Sequence, residues 1–312
     1  MLCLTRTDVS GMPNEIDARQ TEVLMTCDFI IYNVKLGQCI GVLPHDRRDY
    51  AMMVDCGHDG DFHPIDDFGR HLPQTRGRRP FLRSLVLTNY DHDHFSGLPN
   101  LYKFADIQGV LLPQNMSMKE VRALKPESTD ALDTLEHIRT TYTDPVTDYT
   151  PPFIRKVFSL KQEELANAQI PIETNHLSQI VFVKYGDTTF CIPGDIEARS
   201  WELILAKSGV QAWLEDTDIL MASHHGRRNG YHEGIFEHCK PACIIISDKP
   251  IVHGTQEDMA AVYGKHVRGN GISYRPATGN AVLRKTLTTR RDGHILVTVP
   301  FSGEPIFEAY TQ

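Results

Sequence analysis

Ser84-Leu85-Val86-Leu87-Thr88-Asn89-Tyr90-Asp91-His92-Asp93-His94-Phe95-Ser96-Gly97-Leu98 is the stretch from which the fold is read. Leu85-Val86-Leu87 is a short apolar run of the kind that forms a buried strand, and polar residues follow directly behind it. Side chains at the carboxyl end of a core strand sit on loops held by a rigid scaffold, which is where open α/β sheets place their chemistry. Asp91, His92, Asp93 and His94 put acidic and imidazole groups on consecutive residues. Such groups would repel or strand one another unless something positive sat among them, so the cluster predicts a metal ion.

Two later strands end in the same way. TTFCIPGD (188–195) closes on Gly194-Asp195, and DILMASHHG (218–226) closes on His224-His225-Gly226. Carboxylate oxygen and imidazole nitrogen are ligands of Zn²⁺ and, with more oxygens, of Mn²⁺. Taken alone, adjacent histidines on a loop are ordinarily solvated and a Gly-Asp pair is ordinarily a turn. Behind three strands, these groups can point toward one cavity.

Around these motifs the chain alternates strand and helix. CDFIIYNVKLGQCIGVLP (27–44), the polar turn HDRRD (45–49) and YAMMVDCG (50–57) predict a hairpin of buried strands, followed by a basic, loop-like stretch from Arg70 to Arg83. Within 100–168, KEVRALK (119–125), STDALDTLEHIRTTY (128–142) and LKQEELANAQ (160–169) read as helices, interrupted by TDPVTDYTPPF (143–153). SQIVFVKYGD (178–187) and TTFCIPGD predict two strands joined by a turn at Tyr185-Gly186-Asp187. An amphipathic helix follows over IEARSWELILAKSG (196–209), with Gly209 at its end. Next come the strand DILMASHHG, a short helix at EGIFEHCKP (233–241), a buried strand at ACIIISD (242–248) and a last helix at TQEDMAAVYGKHV (255–267). NAVLRKTLTTRRDGHILVTV (280–299) predicts a closing hairpin with its turn at Arg291-Asp292-Gly293. Strands and helices in two similar halves predict an α/β protein, a four-layer αββα sandwich. One domain is expected over 21–312, behind a loose polar extension at 1–20, with 100–168 as a helical insertion or cap.

Composition narrows the function. With 41% hydrophobic and 23% charged residues, the 312-residue chain matches soluble globular domains. Its formal charge of −8 argues against coating nucleic acid non-specifically, although a local basic pocket is compatible with it. The cysteines Cys3, Cys27, Cys39, Cys56, Cys191, Cys239 and Cys243 are odd in number and lack paired CxxC spacing, so the expected setting is reducing and cytoplasmic. The N-terminal residues lack the apolar core of a signal peptide, and no run of 18 apolar residues predicts a membrane span.

LTNYDHDHFSGL (87–98) resembles the HxHxDH signature of the metallo-β-lactamase superfamily, and more closely the HxDxDH variant of the ComEC-type hydrolase domain. FIIYNVKLGQCIGVLP (29–44), MMVDCG (52–57), ETNHLSQIVFVKYGDTTFCIPGDIE (173–197), DILMASHHG and TTRRDGHILVTV (288–299) resemble further motifs of that family in the same order. The resemblance spans about residues 28–99 and 173–300. It implies the αββα metallo-β-lactamase sandwich, one or two ions of Zn²⁺, or alternatively Mn²⁺ or Mg²⁺, and a hydrolase. By position, Asp91 matches a first-site ligand, Asp93 and His94 second-site ligands, Asp195 the bridging carboxylate, and the His224-His225 pair the last ligand. Asn89, Asn175 and His176 are the remaining first-site candidates, and Asp55 matches a buried structural aspartate.

The chain departs from the family at three places. Asn89 stands where the family has its first histidine, and an amide oxygen is a weaker ligand for Zn²⁺ than imidazole. Restoring His at 89 is therefore expected to strengthen the first site. Arg227-Arg228 replaces a small hydroxyl and one cation after His225-Gly226, and guanidinium forks suit phosphate oxygens. Cys39 replaces an acid after Gly37-Gln38.

The expected function is a metal-dependent phosphodiesterase or nuclease acting on a nucleic acid strand, a nucleotide or a cyclic nucleotide. Asp93, His224 and His225 are its expected catalytic residues, one histidine giving a proton to the leaving oxygen. Arg227, Arg228 and His253 are expected to bind the substrate phosphate. Hydrolysis of a lactam, lactone or thioester is the alternative, and a non-catalytic binding protein, favoured by Asn89, is the third reading. The 100–168 segment is a lid, a homodimer contact or a platform for a protein partner.

Overall fold

Strands buried on both faces read as near-continuous apolar runs, and that is how most of the strands here are built. The computed structural model describes residues 25–125, 127, 129–147, 149–250 and 259–312; the expected extension at 1–20 and His253 lie outside them. The strands are β1 (Thr26–Ile31), β2 (Ile40–Pro44), β3 (Met52–Val54), β4 (Phe81–Val86), β5 (Asp106–Leu111), β6 (Ile154–Phe158), β7 (Ile180–Tyr185) and β8 (Thr188–Ile192). They continue with β9 (Ile219–Met221), β10 (Cys243–Ile246), β11 (Ile272–Arg275), β12 (Val282–Arg284), β13 (Thr286–Thr288), β14 (Ile295–Pro300) and β15 (Ile306–Ala309). Among the described residues they form a nine-stranded sheet, β12-β11-β15-β14-β1-β2-β3-β4-β5, and a six-stranded sheet, β13-β10-β9-β8-β7-β6.

Period-two alternation assigns each face. Phe29, Ile31, Val42 and Val54 of the larger sheet share one core with Val181, Phe190, Ile192, Ile219 and Ile245 of the smaller. Their neighbours Ile30, Leu43, Met53, Phe182, Cys191 and Leu220 belong to a second core with Leu98, Leu132, Leu135, Trp201 and Ile204 of the helices. The result is the expected αββα sandwich. Phe29 and Phe190 stack across the two sheets with centroids 3.8 Å apart and planes within 5°. The six described cysteines, Cys39 among them, are buried and free. No helix among the described residues is long and apolar enough to cross a membrane.

The topology brings the polar strand ends together. β3 and β4 run parallel, as do β8, β9 and β10, so within each set the carboxyl ends open at one edge. The segments that follow β3, β4, β8, β9 and β10 carry Asp55, Asp93-His94, Asp195, His225 and Ser247.

Two expectations are corrected. No hairpin forms over 280–299: β13 pairs in parallel with β10 in the smaller sheet, a single turn of helix spans Thr289–Asp292, and β14 returns to the larger sheet beside β1. Leu287 is fully buried between the sheets, an apolar anchor that holds β13 away from β14. The helical reading of 100–168 is also incomplete, because β5 and β6 form edge strands of the two sheets inside it. Ile154 is 58% exposed and Gly109 interrupts β5, so neither strand shows a clean alternation.

The helix Met118–Leu124 opens on a capping box in which Ser117 Oγ accepts from Glu120 N at 3.3 Å and Glu120 accepts from Ser117 N at 2.7 Å. Ser117→Ala is expected to cost about 1 kcal/mol in urea unfolding. A change below about 0.3 kcal/mol would show that tertiary contacts alone hold this helix.

Candidate metal centre

One turn of helix, His92–Phe95, projects Asp93 and His94 inward behind β4. Its backbone is clamped from two sides: Gln38 N donates to Asp93 O at 3.2 Å and Cys56 N donates to His94 O at 2.8 Å. A Cβ on Gly37 or Gly57 would lie 2.4 or 2.3 Å from Asp93 O, so glycine at both motif positions permits the approach. This gives Gly37-Gln38 and Met52–Gly57 a structural task at the site.

Asp93, His94, Asp195 and His225 offer one ligand atom each, all within 4.8 Å of one another. His94 Nε2 lies 3.1 Å from Asp195 Oδ1, His225 Nε2 lies 3.5 Å from the same oxygen, and His225 Nε2 lies 3.2 Å from Asp93 Oδ2. A tetrahedral Zn²⁺ with bonds of about 2.1 Å spaces its ligands about 3.4 Å apart, so the fit is close. Both Nε2 atoms are buried and have no hydrogen-bond partner among the described residues. They approach the carboxylates without hydrogen-bond geometry, as ligand atoms facing a common point do.

The other nitrogen of each ring is fixed. His94 Nδ1 meets Asp55 Oδ2 at 2.8 Å, and His225 Nδ1 donates to Ser247 O at 2.9 Å. A proton on each Nδ1 leaves each Nε2 lone pair facing inward, the arrangement of metal-ligating histidines. Asp55 therefore does more than bond backbone: besides His94 it accepts from Gln38 Nε2, Thr88 N and Thr88 Oγ1.

Backbone conformation selects between the two adjacent histidines. Both occupy the left-handed region, His224 at φ 50° and His225 at φ 55°, a conformation that costs non-glycine residues on the order of 1–3 kcal/mol each. Gly226 continues the turn at φ 70°, packed on Ile246. This path points His225 into the cluster. His224 instead approaches Glu197 Oε1 at 3.6 Å and Arg227 Nη1 at 3.1 Å.

The remaining sequence candidates lie outside the four-residue cluster. Asn89 Oδ1 accepts from Tyr90 N at 2.5 Å and its Nδ2 donates to Asn175 Oδ1 at 2.9 Å. Asp91 Oδ1 accepts from Lys125 Nζ at 2.7 Å and from Thr174 Oγ1. His176 Nδ1 pairs with Ser200 Oγ at 2.9 Å. Arg227 and Arg228 are exposed beside His224. Sequence reasoning missed Lys125, Thr174, Glu197 and Ser247. Thr174 and Glu197 stood at the two ends of a quoted motif, but nothing local marked Lys125 or Ser247.

Without an ion the cluster balances its carboxylates with protons. Burial alone would lower both imidazoles, but Asp195 and Asp55 raise His94 well above its usual value, and Asp195 and Asp93 push His225 up to about 10. Burial opposes ionisation of Asp195, and the His94 and His225 charges overcome it and hold the carboxyl well below the carboxylate range. A raised imidazole pKa gives stability that is complete below the unfolded value near 6.5 and is lost as pH rises through the folded value. Chelator-treated protein is therefore expected to lose about 5 °C in Tm between pH 8 and pH 10 relative to metal-loaded protein. Parallel melting curves for the two forms would refute the proton-for-metal exchange.

No protein-family model and no curated protein matches the chain. Among solved structures it is similar to Zn²⁺-bound PqqB from Methylobacterium extorquens, with 14% identity and a TM-score of 0.37 over 59% of this chain. That match spans 58% of the PqqB chain. It is also similar to a diphosphatase from the PhnP family, with 11% identity and a TM-score of 0.40, covering 88% of this chain and 100% of the other. At this level neither similarity bears on substrate or activity.

Proposed function

We propose that the chain is a metal-dependent hydrolase of the metallo-β-lactamase superfamily that cleaves a phosphate ester, a phosphodiester of a nucleotide or nucleic acid strand being the favoured substrate. The observation that carries this reading is the pair of buried imidazole Nε2 atoms that face Asp93 and Asp195 without a hydrogen-bond partner among the described residues. Asp93, His94, Asp195 and His225 would hold the ion, and two imidazoles with two carboxylates suit Zn²⁺, with Mn²⁺ or Mg²⁺ as alternatives. When bound, a divalent ion supplies Lewis acidity toward a phosphoryl oxygen and acidifies water.

The chain's own residues prepare the rest. Asp55 and Ser247 fix the two imidazole rings, so little reorganisation is left for the moment of reaction. His224 Nε2 lies 3.1 Å from the Arg227 guanidinium, and this contact beside His225 supports Arg227 as a cation that would meet a phosphate.

The test joins elemental analysis to a hydrolysis screen with bis-p-nitrophenyl phosphate, oligonucleotides and cyclic nucleotides under Zn²⁺, Mn²⁺ and Mg²⁺, and with a neutral lactone for comparison. Arg227→Ala is expected to lower phosphodiester turnover about threefold to tenfold with metal content unchanged, the modest size reflecting its exposure. Turnover of the lactone alone would move the assignment to carboxyl chemistry. Less than roughly half an equivalent of metal after gentle purification would sink the enzyme reading, since intact sites of this kind bind tightly.

A further inference from the structure

We propose that Lys125 takes the place of a second metal ion: the protein holds one divalent cation, and the Lys125 ammonium, clamped on Asp91, is the fixed charge that meets an anionic group of the substrate. The inference rests on the metal-dependent reading above and specifies what stands beside the ion.

The contrast between two groups of ligand-type residues carries it. In the first group, His94 Nε2 and His225 Nε2 are buried with no hydrogen-bond partner among the described residues. In the second, each residue already has at least one polar atom engaged by a neighbour. Asn89 spends its oxygen on Tyr90 N and its amide nitrogen on Asn175, while His176 Nδ1 is paired with Ser200. Asp91 Oδ1 accepts from both Lys125 Nζ and Thr174 Oγ1. A divalent ion at this carboxylate would have to displace a cation already seated there.

The position suits the role. Asp91 lies two residues from Asp93, which limits their separation to about 7 Å along even an extended chain. Asn89, Asn175, Glu197 and His224 form one polar chain leading from this patch to the residue next to His225. Lys125 arrives from the end of the helix Met118–Leu124, and its side chain remains 34% exposed while that of Asp91 is 23% exposed. Lys125 also lines a cavity of about 460 Å³ with His92, Phe95, Leu124, Glu127, Thr129 and Leu132, an approach to it from outside that carries one acidic residue on its wall. Its three donors exceed the one that the carboxylate takes.

The test compares wild type, Lys125→Met, Lys125→Arg, Asn89→His and the double variant Asn89→His/Lys125→Met, each titrated with Zn²⁺ and then, metal-loaded, with inorganic phosphate. Wild type and Asn89→His are each expected to hold about one equivalent, because histidine at 89 leaves Asp91 closed, and the double variant is expected to move toward two. Lys125→Met is expected to weaken inorganic phosphate about tenfold, and Lys125→Arg to stay within about twofold of wild type. Two equivalents in wild type or in Asn89→His alone, or unchanged phosphate affinity in Lys125→Met, would overturn the proposal. Retained metal binding in Lys125→Met shows that the variant is folded. Absence of metal from wild type would remove both this inference and the hydrolase reading, whereas two equivalents in wild type would remove this inference alone.

Discussion

Asp195→Ala is expected to leave the purified protein with less than about a tenth of an equivalent of metal, against about one in the parent. Structural Zn²⁺ sites bind with about 10–16 kcal/mol, so losing one of four ligands weakens affinity by roughly a hundredfold or more. Asp195 has the largest share because its Oδ1 faces both His94 and His225, and its side chain is only 3% exposed. Asp195→Asn keeps the shape and removes the charge, and is expected to lose metal nearly as completely. Asp187→Ala, at an exposed position on the β7–β8 turn, is the control that keeps it. Elemental analysis after gentle purification decides: equal metal in Asp195→Ala and the parent would remove the ligand assignment.

Asp55→Ala is expected to cost about 3–5 kcal/mol in stability and about 10–100-fold in metal affinity. The carboxylate is fully buried and accepts from Gln38 Nε2 at 2.8 Å, Thr88 N at 2.6 Å, Thr88 Oγ1 at 2.6 Å and His94 Nδ1 at 2.8 Å. Alanine strands donors inside the protein and frees the His94 ring to rotate. It must also adopt the left-handed backbone that Asp55 holds at φ 57°. Urea unfolding with and without metal, and competition with a chromogenic chelator, separate the two effects. A loss below about 1 kcal/mol with unchanged metal affinity would mean that water replaces the carboxylate and that His94 is oriented by other contacts.

The sandwich was legible because its strands are apolar on both faces and end abruptly in polar chemistry, as Leu85 to His94 and Ile219 to Gly226 do. Asp93, His94, Asp195 and His225 all lay in those polar ends. Between His224 and His225 no choice was open from sequence, because it depends on two successive left-handed residues that no composition reveals. Lys125 was invisible for a different reason. It is 34 residues from Asp91 in a helix whose pattern speaks only of its own buried face. The edge strands β5 and β6 were missed because exposure blurs their alternation, and β13 was paired with β14 because nothing local shows that it joins the other sheet within three residues of β12.

The seating of β1 between β2 and β14 has a consequence for how the chain matures in time. The side chains of Asp28 and Thr298 meet across 270 residues of sequence. At synthesis rates of about 5–20 residues per second, β1 is made roughly 15–50 s before the strand that covers its far edge. Asp55, Asp93 and His94 emerge before β7, whereas Asp195 and His225 follow it, so a nascent chain carries half a ligand set beside an open sheet edge. The four-residue cluster is thus completed late, once the second half of the chain packs onto the first. The interval before then is the period in which the unpaired edge of β1 is exposed to association with other chains.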